Sequence, residues 1–402
     1  MGDLESTTNG QERGPLRHQL LMGIWADLDA MRHRGWGAAA RVTRSLPMHL
    51  PSRHPVGKDL RVIDRESLGA AADSVDYREV LPPRTVPVGV EDAIETPPLY
   101  ACCVERGILI TDGVLFHGVL AENNLLVAEV SKDHGSKKGE WDSFRRITRL
   151  PPRVRAGSVV SLLTGGGGLS NYGHWLYDVL PRFHLQRSVG LITPHARYLV
   201  PPIDAEFKHT SLQRLGISPE NCIEVGGPVA VVGDTVAASS GHRSHGRVEP
   251  WIPEFLRDVL LRETSQSGLR LYVNRRDTKI RRVLNEAALE SALTQRGFRS
   301  VSATEFGFQD KMDLYNSAEI IVAPHGAGLA NIAFCSPGTH VVEIDGDDWQ
   351  HPWFGDVSRA VDLRHTVVRA LRAASPAWLP DMIRHVEVDV DAVIDRVDEI
   401  LN

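Results

Sequence analysis

The sequence predicts a mixed α/β protein built on parallel sheets, and three observations carry that. From residue 269 onward, apolar runs at 269–273, 298–301, 319–323 and 341–344 alternate with helical patterns at 285–296 and 309–317. Strands separated by helices form parallel βαβ units covered on both faces. Two apolar runs, 159–163 and 319–323, stop at turns of small residues that lead into helices: Thr164-Gly165-Gly166-Gly167-Gly168 and Pro324-His325-Gly326-Ala327-Gly328. The composition, 402 residues with 42% hydrophobic and 24% charged, is that of a globular protein long enough for two domains.

Taken in order, residues 1–15 are polar and Gly-containing and are expected to be frayed. Residues 16–35 place Leu20, Leu21, Ile24, Leu28 and Met31 at helical spacing. The Pro-rich stretch 45–100 lacks periodicity and predicts loops and short strands. Alternation with pauses at Asp112-Gly113 and Glu122-Asn123-Asn124 predicts β segments at 100–104, 108–111, 114–117 and 125–129. A charged loop follows at 131–140. After the strand at 159–163 come a helix from about Asn171, a strand at 198–200, a helix at 205–215, and strands at 229–232 and 235–238. The aperiodic, polar segment 241–250 reads as a linker or cleft loop, and 253–263 as a helix. The C-terminal Val390–Leu401 is an acidic amphipathic helix expected to pack back onto the body.

Composition also bounds the partners. A net charge of -6 offers no whole-chain argument for nucleic-acid binding. Arg32, Arg34, Arg41, Arg44, Arg53 and Lys58 make the early segment locally basic, which a solvated face explains as well as a membrane surface does. The four cysteines, Cys102, Cys103, Cys222 and Cys335, have neither zinc spacing nor a disulfide framework, so a reducing compartment is expected. No basic-then-apolar leader and no run near the roughly 20 apolar residues of a membrane span is present. A soluble, cytoplasmic protein is therefore expected.

Three segments carry chemistry. The turn at 324–328 ends a buried strand and opens a helix, so its backbone N–H groups and the positive end of the helix dipole suit a phosphate. Small residues at 326–328 allow close approach, and His325 adds a donor. A tight turn of an ordinary α/β domain would read the same way. In the second segment Asn171, His174 and Asp178 stand at i, i+3 and i+7, on one helix face. His174 and Asp178 also form an i,i+4 pair. In a partly desolvated cleft either group can deprotonate a hydroxyl. The alternative is structural: Asn171 as a helix cap and His174–Asp178 as a self-satisfied pair. The third segment, Tyr272-Val273-Asn274-Arg275-Arg276-Asp277, ends a strand with two fork-shaped donors suited to diphosphate oxygens, and Arg281 and Arg282 follow closely. A solvated basic turn is the competing reading.

The order of 171–182, 271–277 and 323–331 resembles glycosyltransferase family 61, with the resemblance covering roughly 155–345. It implies the GT-B arrangement, two Rossmann-like domains facing across a cleft: an acceptor-side domain at 16–248 and a nucleotide-sugar-binding domain at 249–375, with 376–402 packing back. It implies an inverting transfer from a nucleotide sugar, usually a UDP-sugar, to a hydroxyl on a glycan, protein side chain or natural product. By position, Arg275, His325, Gly326, Ala327 and Gly328 would face the donor diphosphate, with Arg276, Leu329 and Asn331 beside them. Glu343 would bind a ribose or other donor hydroxyl. Asn171, His174 and Asp178 would lie near the acceptor, with Asp178 as the preferred base and His174 as the alternative. Gly173 stands where many relatives carry a large residue, and Asn274 where serine is frequent.

No Asp-x-Asp metal motif stands at a strand end, Asp345-Gly346-Asp347-Asp348 being the nearest approach. A metal-independent transfer is therefore expected, with no cofactor beyond the donor substrate and arginines and helix dipoles taking the leaving charge. Two rivals remain: a non-catalytic nucleotide-sugar-binding protein, and a metal-dependent hydrolase using His242, His245 and His174. The sequence leaves a homo-oligomer open.

Overall fold

The computed structural model describes residues 61–63, 74–87, 93–121, 124–134, 141–145, 151, 153–164, 166–242, 246–262, 268–346, 352–373 and 384–402. The expected frayed segment 1–15 and helix 16–35 lie outside the described residues, as do His245, Asp347 and Asp348.

In chain order the strands are β1 (Arg61–Ile63), β2 (Val75–Leu81), β3 (Arg84–Pro87), β4 (Ala93–Thr96), β5 (Leu99–Glu105), β6 (Ile108–Thr111), β7 (Phe116–Ala121), β8 (Leu125–Val127), β9 (Lys132–Asp133), β10 (Arg153–Ser161), β11 (Arg197–Val200), β12 (Cys222–Glu224) and β13 (Val229–Ser239). The second half adds β14 (Leu269–Asn274), β15 (Arg299–Ser302), β16 (Ala318–Pro324), β17 (His340–Gly346), β18 (Arg364–Arg372) and β19 (Val386–Glu387). The protein is thus α/β with parallel sheets.

In the first sheet β13, β10, β11 and β12 lie side by side and parallel, while β5 and β6 join β13 antiparallel. The chain leaves β10 for β11 and β12 on one side and returns to β13 on the other. The second sheet runs β15-β14-β16-β17-β18 in parallel, with β19 antiparallel at one edge. Here the chain reverses direction between β14 and β16. In open α/β sheets ligands gather outside the carboxyl ends of strands at such a reversal. Those ends are Asn274-Arg275 and Pro324-His325, and in the first sheet Ser161 and Ser239.

The structure departs most from the sequence reading in three places. Residues 229–239 are one strand, not two. Gly233-Asp234 marks a change of antiparallel partner, from β6 along Val229–Val232 to β5 along Thr235–Ser239, while β10 pairs along both stretches. β7 starts at Phe116 and not at 114, because Asp112 Oδ1 accepts from the N–H groups of Val114, Leu115 and Phe116 at 2.8–3.0 Å and closes a turn. The helix Trp353–Ala360 and strand β18 were not anticipated. The C-terminal helix Val390–Leu401 buries Val393, Ile394 and Val397 in one cluster with Ile320, Val342 and Val368 of the second sheet. Arg296 grips Asp398 through two contacts of 2.6 Å.

One core runs through both halves. Trp175, Leu176, Leu180 and Phe183 share a buried cluster with Ile252, Leu256, Leu271, Ile321, Leu329 and Ile332. Each such side chain contributes on the order of 1.5–3 kcal/mol by leaving water. The helical run after β10 and the short helix after β16 are therefore held against each other by the main core.

Candidate active site

The helical run after β10 comprises Tyr172–His174, a π turn over Trp175–Val179, and Leu180–Ser188. Asn171 caps it, its Oδ1 accepting from His174 N at 3.2 Å. Leu180 N donates to Trp175 O, the wider π register. Pro181 brings no N–H to the ladder. The carbonyl of Tyr177 is satisfied from outside, by His242 Nε2 at 2.7 Å. His242 therefore serves the helix, and its ring meets Trp251 edge-on. π turns inside α-helices are frequent at functional sites, and this one carries Asp178. His174 Nδ1 and Asp178 Oδ2 are 2.6 Å apart, both partly exposed. With the proton on Nδ1, His174 presents a bare Nε2. Arg182 is buried behind the pair, donating to Ser239 O at 2.7 Å. Burial lowers its pKa to about 10, with Asp178 opposing.

At the other sheet, His325 N donates to Ile344 O at 2.8 Å, extending the β16–β17 ladder by one residue. His325 Nδ1 then lies 2.5 Å from Glu343 Oε1, and His365 Nε2 2.9 Å from Glu343 Oε2. Glu343 is 2% exposed. Burial pushes its carboxyl up, but hydrogen bonds from the two imidazoles outweigh that and bring it to about 2. Asp345, two residues on and so on the same face, is pushed up by burial. His325, Glu343 and Asp345 bring three possible ligand atoms within 4.8 Å of one another.

Arg275 reaches this turn from β14. A Cβ on Gly326 would overlap Arg275 Nη1, so the guanidinium occupies space that only glycine leaves. Burial lowers the Arg275 pKa, with Asp277 and Glu286 opposing. Its Nε is buried with no hydrogen-bond partner. Tyr315 donates to Gly328 O at 2.8 Å and fixes the start of the short helix Ala327–Phe334.

The two motifs are joined directly. Tyr177 OH donates to Ala330 O at 2.9 Å, and Tyr172 OH bonds Asn331 Oδ1. His174 meets the Trp353 ring edge-on at 5.9 Å, and His325 packs on Phe354, the next residue, at 5.0 Å. One aromatic pair thus touches both imidazoles.

The other sequence candidates divide by position. Ala327 and Gly328 keep partial exposure at the helix start. Leu329 is fully buried in the core. Asn331 is buried and bonded to Tyr172 and Gly328 O. Arg276 is turned to Glu286 and Glu290. It lines a pocket of about 440 Å³ with Arg282, Glu286 and His385. Sequence reasoning missed Trp353, Phe354, His365 and His134. The alternation His365-Thr366-Val367-Val368-Arg369-Ala370 was the available signal for β18. His134 Nε2 is 3.4 Å from Thr164 O. Burial lowers its pKa and Asp178 acts against that.

Fold and site together define an α/β protein whose polar residues collect where each sheet reverses its strand order. Residues 172–342 match the family model described as Glycosyltransferase 61. The family implies glycosyltransferase chemistry, with a sugar donor and an acceptor. No curated protein matches the chain. Among the described residues no helix is long and apolar enough to cross a membrane.

Proposed function

We propose that this protein is an inverting, metal-independent glycosyltransferase of the GT-B arrangement. It moves a sugar from a nucleotide-sugar donor, a UDP-sugar by preference, to a hydroxyl acceptor. The observation that carries the reading is the packing of the His174–Asp178 helix on the helix that follows the His325–Gly328 turn, through Tyr177 and Ala330. That contact holds a proton acceptor and a candidate phosphate turn on one core.

The 2.6 Å contact supports His174 Nε2 as the base, with Asp178 fixing the tautomer. His174 takes the acceptor proton as the hydroxyl oxygen forms its bond to the anomeric carbon. The bond from that carbon to the diphosphate oxygen breaks on the opposite face, and the anomer inverts. The diphosphate leaves with the electron pair, met by Arg275, His325 and the N–H groups at 327–328. Glu343 holds the His325 ring in place. Guanidinium charge at the turn supports departure without a metal.

Nucleotide sugars are to be screened by thermal shift, since a ligand of the folded form raises its melting temperature. A UDP-sugar is expected to stabilise the protein, and transfer should continue in excess chelator. If no nucleotide sugar shifts the melt, the proposal fails. Binding with neither transfer nor hydrolysis would reduce the protein to a nucleotide-sugar binder.

A further inference from the structure

We infer that Arg281 and Arg372 complete, with Arg275, a cradle for a pyrophosphate group over the backbones of Gly326 and Gly346. The carrier of that group rests on the glycosyltransferase reading; the cradle itself does not.

The two glycines stand at the carboxyl ends of β16 and β17, neighbouring strands in the sheet. A Cβ on Gly326 would overlap Arg275 Nη1, and one on Gly346 would overlap Arg372 Nε. Two guanidiniums are thus laid onto bare main chain, side by side. Arg281 is bracketed by the segments that carry them. Ile280 O accepts from Arg275 Nη2 at 3.4 Å, while Arg282 N donates to His385 Nδ1 at 3.0 Å. Arg384 O, next to His385, accepts from Arg372 Nη1 at 3.5 Å.

The backbone at Arg281 has φ 52, in the left-handed region that arginine adopts only at a cost. Like charges are also gathered: burial first, then Arg275 and Arg372, lower Arg281 to about 9, and Asp345 opposes them. A residue in the left-handed region thus stands beside two further guanidiniums, with the Asp345 carboxylate opposing. Such a cluster fits a ligand that carries at least two negative charges and presents oxygens to fork-shaped donors, which describes a pyrophosphate.

The test uses the full chain and inorganic pyrophosphate, followed by titration calorimetry and thermal melting. Arg281→Gly relieves both the strained φ and the repulsion. It should lose at least about tenfold in pyrophosphate affinity, the size of a hydrogen bond to a charged group, while the ligand-free protein melts no lower than wild type. Arg372→Met should lose a similar factor, and Arg281→Lys, which keeps the charge, should lose less than Arg281→Gly. Wild-type protein that does not bind pyrophosphate, or unchanged affinity in Arg281→Gly and Arg372→Met, overturns the cradle. So does a fall in the ligand-free melting temperature of Arg281→Gly with affinity retained by Arg372→Met, since that marks a structural knot. Pyrophosphate binding with no response to any nucleotide sugar would leave the cradle standing and sink the transferase. Normal transfer by Arg281→Gly at wild-type donor KM would do the reverse.

Discussion

The hydroxyl of Tyr177 donates to the main-chain carbonyl of Ala330 at 2.9 Å, across 153 residues of chain. Both residues are buried. Tyr177→Phe leaves that carbonyl without its donor, at a cost of about 1–3 kcal/mol. The melting temperature should fall by roughly 2–4 °C for each kcal/mol lost. Turnover should fall further than nucleotide affinity, because the helix that bears His174 loses its tie to the phosphate turn. A variant with the wild-type melt and wild-type turnover would show that the bond positions nothing.

Gly326→Ala tests the phosphate turn with the backbone kept. Gly326 is extended, so alanine adopts the same conformation. The new Cβ displaces the far end of the Arg275 side chain. Nucleotide affinity should drop by roughly tenfold or more while circular dichroism stays as in wild type. Affinity equal to wild type in titration calorimetry would separate Arg275 from the donor site.

The imidazole–carboxylate pair should act as a unit. His174→Ala and Asp178→Asn should each cut turnover by about two to four powers of ten, the usual weight of a general base. The double variant should be little worse than the poorer single one. Nucleotide affinity should stay within a few fold throughout. Multiplying losses in steady-state kinetics would assign the two residues separate roles.

Glu343 should make the fold acid-sensitive. Its carboxyl is lowered from an ordinary 4.5 to about 2 by hydrogen bonds that outweigh burial, so folding favours the ionised form. That contribution is fully present above about pH 4.5 and is lost as pH falls toward 2. It amounts to roughly 3 kcal/mol at neutral pH. Glu343→Gln should be less stable at pH 7 by a similar amount, and its urea midpoint should change less between pH 5 and 2. An equal slope in both proteins would show that other carboxylates govern acid unfolding.

Much of the second sheet was legible beforehand. Strands 269–273, 298–301, 319–323 and 341–344 fall within β14 to β17 to a few residues, because each is an apolar run between helical patterns. Legibility failed where a partner at long range sets the outcome. Gly233-Asp234 looks like a turn, yet three neighbouring strands carry β13 straight through it. Arg276 looks equivalent to Arg275, but β14 ends at Asn274 and the chain turns there, so the two side chains part. Arg276 therefore meets Glu286 and Glu290, while Arg275 meets Gly326.

The residues by themselves determined the local devices. The spacing of His174 and Asp178 on one helix face and the small residues at 326–328 after an apolar strand are short-range facts of covalent order and side-chain size. Only the tertiary structure decided what those devices face. Pro181 opens a carbonyl that His242 closes, Trp353 and Phe354 stand against the two imidazoles, and Glu343 is shared between His325 and His365. Those partners lie from 18 to 179 positions away in sequence. Packing one core around two sheets is what brings them within reach, because burial of apolar surface is non-directional and local pattern cannot specify which distant side chain will be the neighbour.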